Sequence, residues 1–222
     1  MKTFKDRKEA GILLGKKLKK YNKARPVVLA IPRGGVVTGF YVAIQLGCDL
    51  QVILSRKMGY RSRSETAFGA VAEDGTLYLN PWYTYKLSRE DILEVKKREM
   101  KQIERSIKLY RNGKSLPTLQ GKVVILVDDG IATGATLFAC IEMCKKLNAE
   151  KIVVAVPVAE RDMPGKLIKK VDDVVILTMP EPFYAVSQVY EKFESVGDDE
   201  VLRFLDKNKA IQNFSNTLAM II

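Results

Sequence analysis

Residues 123–138, VVILVDDGIATGATLF, constrain this chain more than any other stretch. Five apolar, mostly β-branched residues, Val123 to Val127, read as a strand buried on both faces, the pattern of a parallel sheet covered by helices. Two adjacent carboxylates follow, Asp128 and Asp129. Then comes a small, hydroxylated run, Gly130-Ile131-Ala132-Thr133-Gly134-Ala135-Thr136, leading into a helix over about 134–147. Open parallel sheets bind ligands beyond the carboxyl ends of their strands, where these acids and this loop must stand. Small residues let backbone N–H groups close on a phosphate, and Thr133 and Thr136 add hydroxyl donors. Two neighbouring carboxylates repel a phosphate, so they face something neutral and hydroxylated, or a metal. A sugar phosphate meets both requirements, with phosphate for the loop and a diol for the acids. The plainer reading of the same residues is a buried strand ending in a solvated Asp-Asp-Gly turn. The P-loop pattern GxxxxGK[ST] is absent.

Four more short apolar runs, 27–31, 51–55, 151–156 and 173–178, alternate with helical segments at about 6–21, 36–46 and 162–170. Five strands alternating with helices predict an α/β fold with a parallel five-stranded sheet flanked by helices. In the first helix, Asp6 and Glu9 have capping-box spacing, and its lysines form a wet face. The strand 27–31 ends in Pro32-Arg33-Gly34-Gly35. A Gly-Gly pair there permits close backbone approach to a ligand, and Arg33 beside it suits an oxyanion, although an ordinary βα turn has the same composition. After 51–55 come Arg56-Lys57-Met58-Gly59 and a polar, basic stretch to 66 without apolar periodicity, expected as a mobile loop. Phe68 to Asn80 reads as a hairpin turning at Asp74-Gly75. A long charged helix follows over 88–112, begun by Ser88 and Asp91 and stopped by Gly113 and Pro117. Hairpin and helix together form an insertion at about 60–117. Beyond the last strand, 179–186 is a Pro-stiffened loop carrying Phe183 and Tyr184. A helix at 197–208 and an apolar tail to Ile222 complete the chain, the tail apolar enough to dock on the body or on a second copy in a homodimer.

At 222 residues the chain is expected to form one domain spanning 1–222 and to bury roughly 70% of its unfolded surface without disulfide or metal. The formal charge of +11 attracts polyanions, and nucleic acid and a pyrophosphate-bearing substrate both qualify. Cys48, Cys140 and Cys144 make no disulfide framework. With no histidine and no CxxC, no metal site built by the protein is expected. The charged N-terminus is not a signal peptide and no apolar run approaches eighteen residues, so the expectation is a cytoplasmic protein with no membrane partner.

The stretch VVILVDDGIATGAT closely resembles the phosphoribosyl-diphosphate motif of type I phosphoribosyltransferases. The resemblance implies that Asp128 and Asp129 bind the ribose hydroxyls, while Gly130, Ala132, Thr133, Gly134, Ala135 and Thr136 hold the 5′-phosphate. Pro32 to Gly35 resembles the family's short pyrophosphate loop, bringing in Gly34 and Gly35. Arg56-Lys57-Met58-Gly59 is similar to the opening of its mobile cover loop. By the same resemblance 179–196 is a small C-terminal hood, with Phe183 and Tyr184 over a nucleobase; as plain residues they plug the sheet's end equally well. The implied reaction transfers ribose 5-phosphate from 5-phosphoribosyl 1-diphosphate to a nitrogen acceptor of nucleobase type. Mg²⁺ rides on the diphosphate, and Arg33, Arg56 and Lys57 are the basic candidates for the leaving group's charge. Hypoxanthine-guanine enzymes carry a third Asp where Ala132 stands, and adenine enzymes do not. A regulator of this fold, binding RNA or DNA with ribosyl diphosphate or a nucleotide as effector, is the alternative; the charge fits it, and no nucleic-acid motif supports it.

Overall fold

The fold is given by a computed structural model that describes residues 3–60, 63–85 and 87–221, and for 63–66, 216 and 218–221 the backbone only. In chain order the elements are α1 (Arg7–Leu18), β1 (Val27–Ala30), α2 (Gly34–Leu46), β2 (Leu50–Val52), β3 (Ser55–Tyr60), β4 (Arg63–Ala72), β5 (Leu77–Leu79) and α3 (Pro81–Thr84). After them come α4 (Arg89–Arg111), β6 (Val123–Val127), α5 (Ala135–Lys146), β7 (Lys151–Val158), α6 (Met163–Leu167), β8 (Asp173–Thr178) and α7 (Asp198–Ile221).

All five residues of β6 are buried, and the strand lies at the centre of a sheet ordered β2-β1-β6-β7-β8, parallel throughout. Successive side chains of a strand point to opposite faces, and the core divides accordingly. Val28, Ala30, Val123, Ile125 and Val127 pack with α1, α2 and α7. Val27, Leu29, Val124 and Leu126 pack with α5 and α6. Each such aliphatic side chain, fully buried, contributes about 1.5–3 kcal/mol, which is why these runs are apolar without alternation. Helices α1 and α2 meet closely at Gly11, where a Cβ would stand 2.5 Å from the Thr38 carbonyl oxygen. Asp6 caps α1, its Oδ1 accepting from Glu9 N–H at 2.9 Å. The reciprocal half of the box shifts by one residue, Glu9 Oε2 accepting from Lys5 N–H at 2.6 Å.

The stretch 56–66 is the clearest departure from expectation. It is not an irregular loop: β3 pairs antiparallel with β4, Arg56 opposite Val71, Lys57 opposite Ala70 and Met58 opposite Gly69, while residues 61 and 62 lie outside the described residues. Met58 is fully buried and holds this strand to the core. A three-stranded sheet β3-β4-β5 results, turned at Gly75 with φ +83°, where Asp74 Oδ1 accepts from Thr76 N–H at 2.8 Å.

Helix α4 starts with the expected box, Ser88 Oγ accepting from Asp91 N–H and Asp91 Oδ2 from Ser88 N–H, both at 3.1 Å. It ends at Asn112 and Gly113, both with positive φ. Its last residue, Arg111, forms an ion pair with Glu73 in which both side chains are buried, tying the helix to the hairpin. Helix α7 runs well past the expected 208. Phe204 packs on Phe40, and Asn208 Oδ1 accepts from Leu50 N–H at 2.9 Å. Beyond them Ile211 and Phe214 are exposed, so this described part of the apolar tail does not dock on the body.

Candidate active site

Strands β1 and β6 are neighbours, with Ala30 opposite Val127, so the two candidate loops leave the sheet side by side although about ninety residues of sequence separate them. The Pro32–Arg33 peptide is cis, and α2 begins at Gly34. A Cβ on Gly34 would lie 1.9 Å from Asp129 Oδ2, and one on Gly35 would lie 2.9 Å from Asp128 Oδ1. The Gly-Gly pair is therefore required here for close approach to the two acids.

The acids divide their surroundings. Asp128 Oδ1 accepts from Asp129 N–H at 2.8 Å. Burial first, and then the Asp129 charge, push the Asp128 carboxyl well above the usual carboxylate range. Asp128 lines a cavity of about 210 Å³ together with loop residues 130–134, Thr136, Lys57 and Val186. Asp129 turns instead toward Arg7, whose Nε donates to Oδ2 at 2.8 Å, and its carbonyl accepts from Tyr190 Oη at 2.6 Å.

The loop itself is anchored by Ile131, buried, whose N–H donates to the Val158 carbonyl at 2.9 Å. Ala132 and Thr133 remain exposed. Gly134 caps α5 with φ +74°, a left-handed conformation suited to glycine. Ala135 opens α5 and is buried, and Thr136 faces the cavity. Backbone N–H groups at a helix start, beside two hydroxyl side chains, make an anion cradle.

Adjacent residues of β3 point apart. Lys57 opens on the loop cavity, whereas Arg56 pairs with Glu99 of α4, Nε to Oε2 at 2.9 Å. Arg56 lines a second, larger cavity of about 530 Å³, with Arg33, Arg105, Tyr110 and Asp198. Arg33 Nη1 stands 3.7 Å from Asp198 Oδ1 there, the Arg33 side chain half exposed. The three basic candidates are thus distributed over two cavities.

The two hood aromatics also separate. Phe183 packs against the small cluster of Phe4, Val158, Val189 and Tyr190, while Tyr184 is 82% exposed. Val186 of this segment reaches the 130–136 loop: a Cβ on Gly130 would meet Val186 Cγ1 at 2.5 Å. The residues that sequence reasoning missed are Arg7 and Tyr190, which hydrogen-bond Asp129, and Phe193, whose ring lies against Arg7. Nothing in their spacing marks them.

Among the described residues no cluster of three or more His, Cys, Asp or Glu side chains is placed to hold a metal ion, and no helix is long and apolar enough to cross a membrane. A family model, the phosphoribosyl transferase domain, matches residues 3–193. A Mycobacterium tuberculosis protein that carries the provisional name phosphoribosyl transferase is 38% identical over 209 residues, covering 93% of this chain and 47% of its own. The chain therefore spans about half the length of that relative. A ribose-phosphate pyrophosphokinase of Pyrococcus furiosus is 38% identical over 76 residues, 33% of this chain and 27% of that one. A Thermus thermophilus protein of known crystal structure is 36% identical, with a TM-score of 0.80 over 93% of this chain and 99% of that one. Paired strand-end loops, the acid pair and a match that runs through both of them lead to one assignment: the chain belongs to the phosphoribosyl transferase family.

Proposed function

We propose that the chain transfers ribose 5-phosphate from 5-phosphoribosyl 1-diphosphate to a nitrogen acceptor of nucleobase type, releasing pyrophosphate. One observation carries the reading: Gly34 and Gly35 bring the β1 loop against Asp129 and Asp128, beside a cavity walled by the 130–136 loop and Lys57. A sugar phosphate fits that layout, its phosphate on the loop amides, Thr133 and Thr136, its diol at the acids. The bond from C1 of the ribose to the diphosphate oxygen breaks as the acceptor nitrogen approaches, and charge grows on both sides of it. The protein's part is to hold the reactants in line and to stabilise the leaving group. Lys57 borders the sugar-phosphate cavity, and Arg33 and Arg56 border the larger one. Each donor well placed toward the departing oxygens lowers the barrier by about 3–4 kcal/mol in a water-excluded site. The substrate's diphosphate would bring Mg²⁺ with it, and the ion would supply further charge stabilisation for the leaving group.

The experiment is a screen of nucleobases for pyrophosphate release from 5-phosphoribosyl 1-diphosphate and Mg²⁺. Release with one base and not with its neighbours supports the transferase and names the acceptor. Binding of the diphosphate without release for any nitrogen base points instead to the regulator, a reading that the +11 charge also fits.

A further inference from the structure

We propose that Arg7 is a positioning residue for recognition of the sugar diol, holding the Asp129 carboxylate fixed at the end of β6. The proposal rests on the sugar-phosphate reading of the site. Arg7 opens α1, directly after the Asp6 cap, and its guanidinium is braced on three sides. Nε donates to Asp129 Oδ2 at 2.8 Å, Nη1 donates to the Glu194 carbonyl at 2.8 Å, and Cζ lies over the Phe193 ring, 3.8 Å from its centre. The Arg7 and Asp129 side chains are 11% and 16% exposed.

Asp129 is held from its other atoms as well. Its carbonyl accepts from Tyr190 Oη and its N–H donates to Asp128 Oδ1. Gly34 leaves the room in which the pair meets, since a Cβ there would stand 1.9 Å from Asp129 Oδ2 and 3.0 Å from Arg7 Nε. Four segments distant in sequence, α1, the β1 loop, the end of β6 and residues 190–194, converge on this one carboxylate.

That convergence answers a physical need. Two adjacent carboxylates, one of them deeply set, repel each other, and a cation beside one of them offsets that repulsion. Arginine cannot surrender its proton under ordinary conditions, and its planar fork fixes direction as well as charge. Because the guanidinium is itself stacked and hydrogen-bonded, it acts as a fixed brace and not as a gate. A carboxylate so held has one fixed orientation before the sugar arrives, and pre-organisation of this kind is what converts a contact into selectivity.

The test compares ribose 5-phosphate with 2-deoxyribose 5-phosphate, which lacks one hydroxyl, by calorimetry on wild type, Arg7→Met and Arg7→Lys. Wild type should prefer the ribose compound by about 10-fold or more, the value of one hydrogen bond to a charged group. Arg7→Met should bring that ratio close to one while affinity for the deoxy compound stays within about 2-fold, because the phosphate loop is untouched. Arg7→Lys, which keeps the charge without the fork, should fall between. A general loss of structure would lower both affinities together and leave the ratio alone. Should Arg7→Met not fold, Phe193→Leu removes the ring that braces the guanidinium and should reduce the same ratio. An unchanged ratio in the folded variants overturns the proposal while the sugar-phosphate reading stands. Wild type that binds neither compound overturns both.

Discussion

Asp128 shows what the site demands of a single residue. Its carboxyl is set deep beside a second carboxylate, so its folded pKa lies above the ordinary value. A folded state that binds the proton more tightly than the unfolded chain loses stability as pH rises from the ordinary value through the raised one. The cost is therefore greater at pH 7 than at pH 4. Asp128→Asn removes it and should therefore raise Tm at pH 7, with a smaller difference from wild type at pH 4. The same change removes a charged acceptor from the sugar and should weaken ribosyl-diphosphate binding about 10- to 150-fold. Melts at the two pH values, with calorimetry on the same samples, decide it, and a lower Tm at pH 7 would count against the account. At Gly34 the argument is steric: with a Cβ 1.9 Å from Asp129 Oδ2, Gly34→Ala must push the acid or the loop aside. Sugar-phosphate affinity should fall at least as far as in Asp129→Asn, and equal affinity in Gly34→Ala and wild type would show that the loop can move away freely.

At the scale of the element, β3 carries the largest difference between sequence and structure. A strand buried on both faces announces itself by an unbroken apolar run, as β1, β6 and β7 do, and the Gly75 turn and the Ser88 cap were legible too. The edge strands β2 and β8 are less buried, and the strand expected at 51–55 divides, β2 ending at Val52 and Ser55 opening β3. Strand β3 buries Met58 and leaves its basic residues toward solvent and cavities, so its pairing with β4 is fixed by the partner strand and has no periodic signal of its own. That the Pro32–Gly35 loop and the acids both end strands of one sheet was legible, whereas the adjacency of those strands is given by the pairing of β1 with β6. The Arg7–Asp129 contact was not, since it joins residues 122 apart through helix packing. Strand geometry then separates two residues that the sequence presents as a pair. Lys57→Ala should weaken ribose 5-phosphate binding by about 10-fold, while Arg56→Ala, on the opposite face, should leave it within about 2-fold. Equal losses in both variants would mean that the strand opens when the sugar binds. The buried Arg111–Glu73 pair fastens α4 to the hairpin, and Arg111 Nε has no hydrogen-bond partner. Arg111→Met should cost about 3–5 kcal/mol in denaturant unfolding by stranding the Glu73 charge, and Glu73→Leu added to it should recover much of that loss. A double variant no more stable than the single one would show that the packing, and not the charge, holds the two elements together.

The whole molecule carries +11, and where that charge lies separates the two readings of function. Lys16, Lys17, Lys19, Lys20 and Lys23 are exposed along α1 and the turn after it, and Lys97, Lys101 and Lys108 are exposed on α4. These are helix faces toward solvent. Near the candidate site the charge is used differently, with Arg7 on Asp129, Arg56 on Glu99 and Arg33 close to Asp198. Lysines scattered over such faces attract any polyanion through counterion release, with an affinity that falls steeply as salt rises. Selective single-strand binding also needs a basic groove with aromatic rings to stack the bases. A short single-stranded RNA should therefore bind at low salt and lose about 10³-fold or more in affinity between 50 and 200 mM salt. Ribosyl diphosphate with Mg²⁺ should leave that binding unchanged, because its site uses different cations. Fluorescence anisotropy across a salt series, with and without ribosyl diphosphate, measures both. An RNA complex tighter than about 10⁻⁷ M at physiological salt, where non-specific binding weakens to about 10⁻⁴–10⁻⁶ M, and released by ribosyl diphosphate, would reverse the argument. The sugar-phosphate site would then be an effector site, and the scattered lysines would be the working surface.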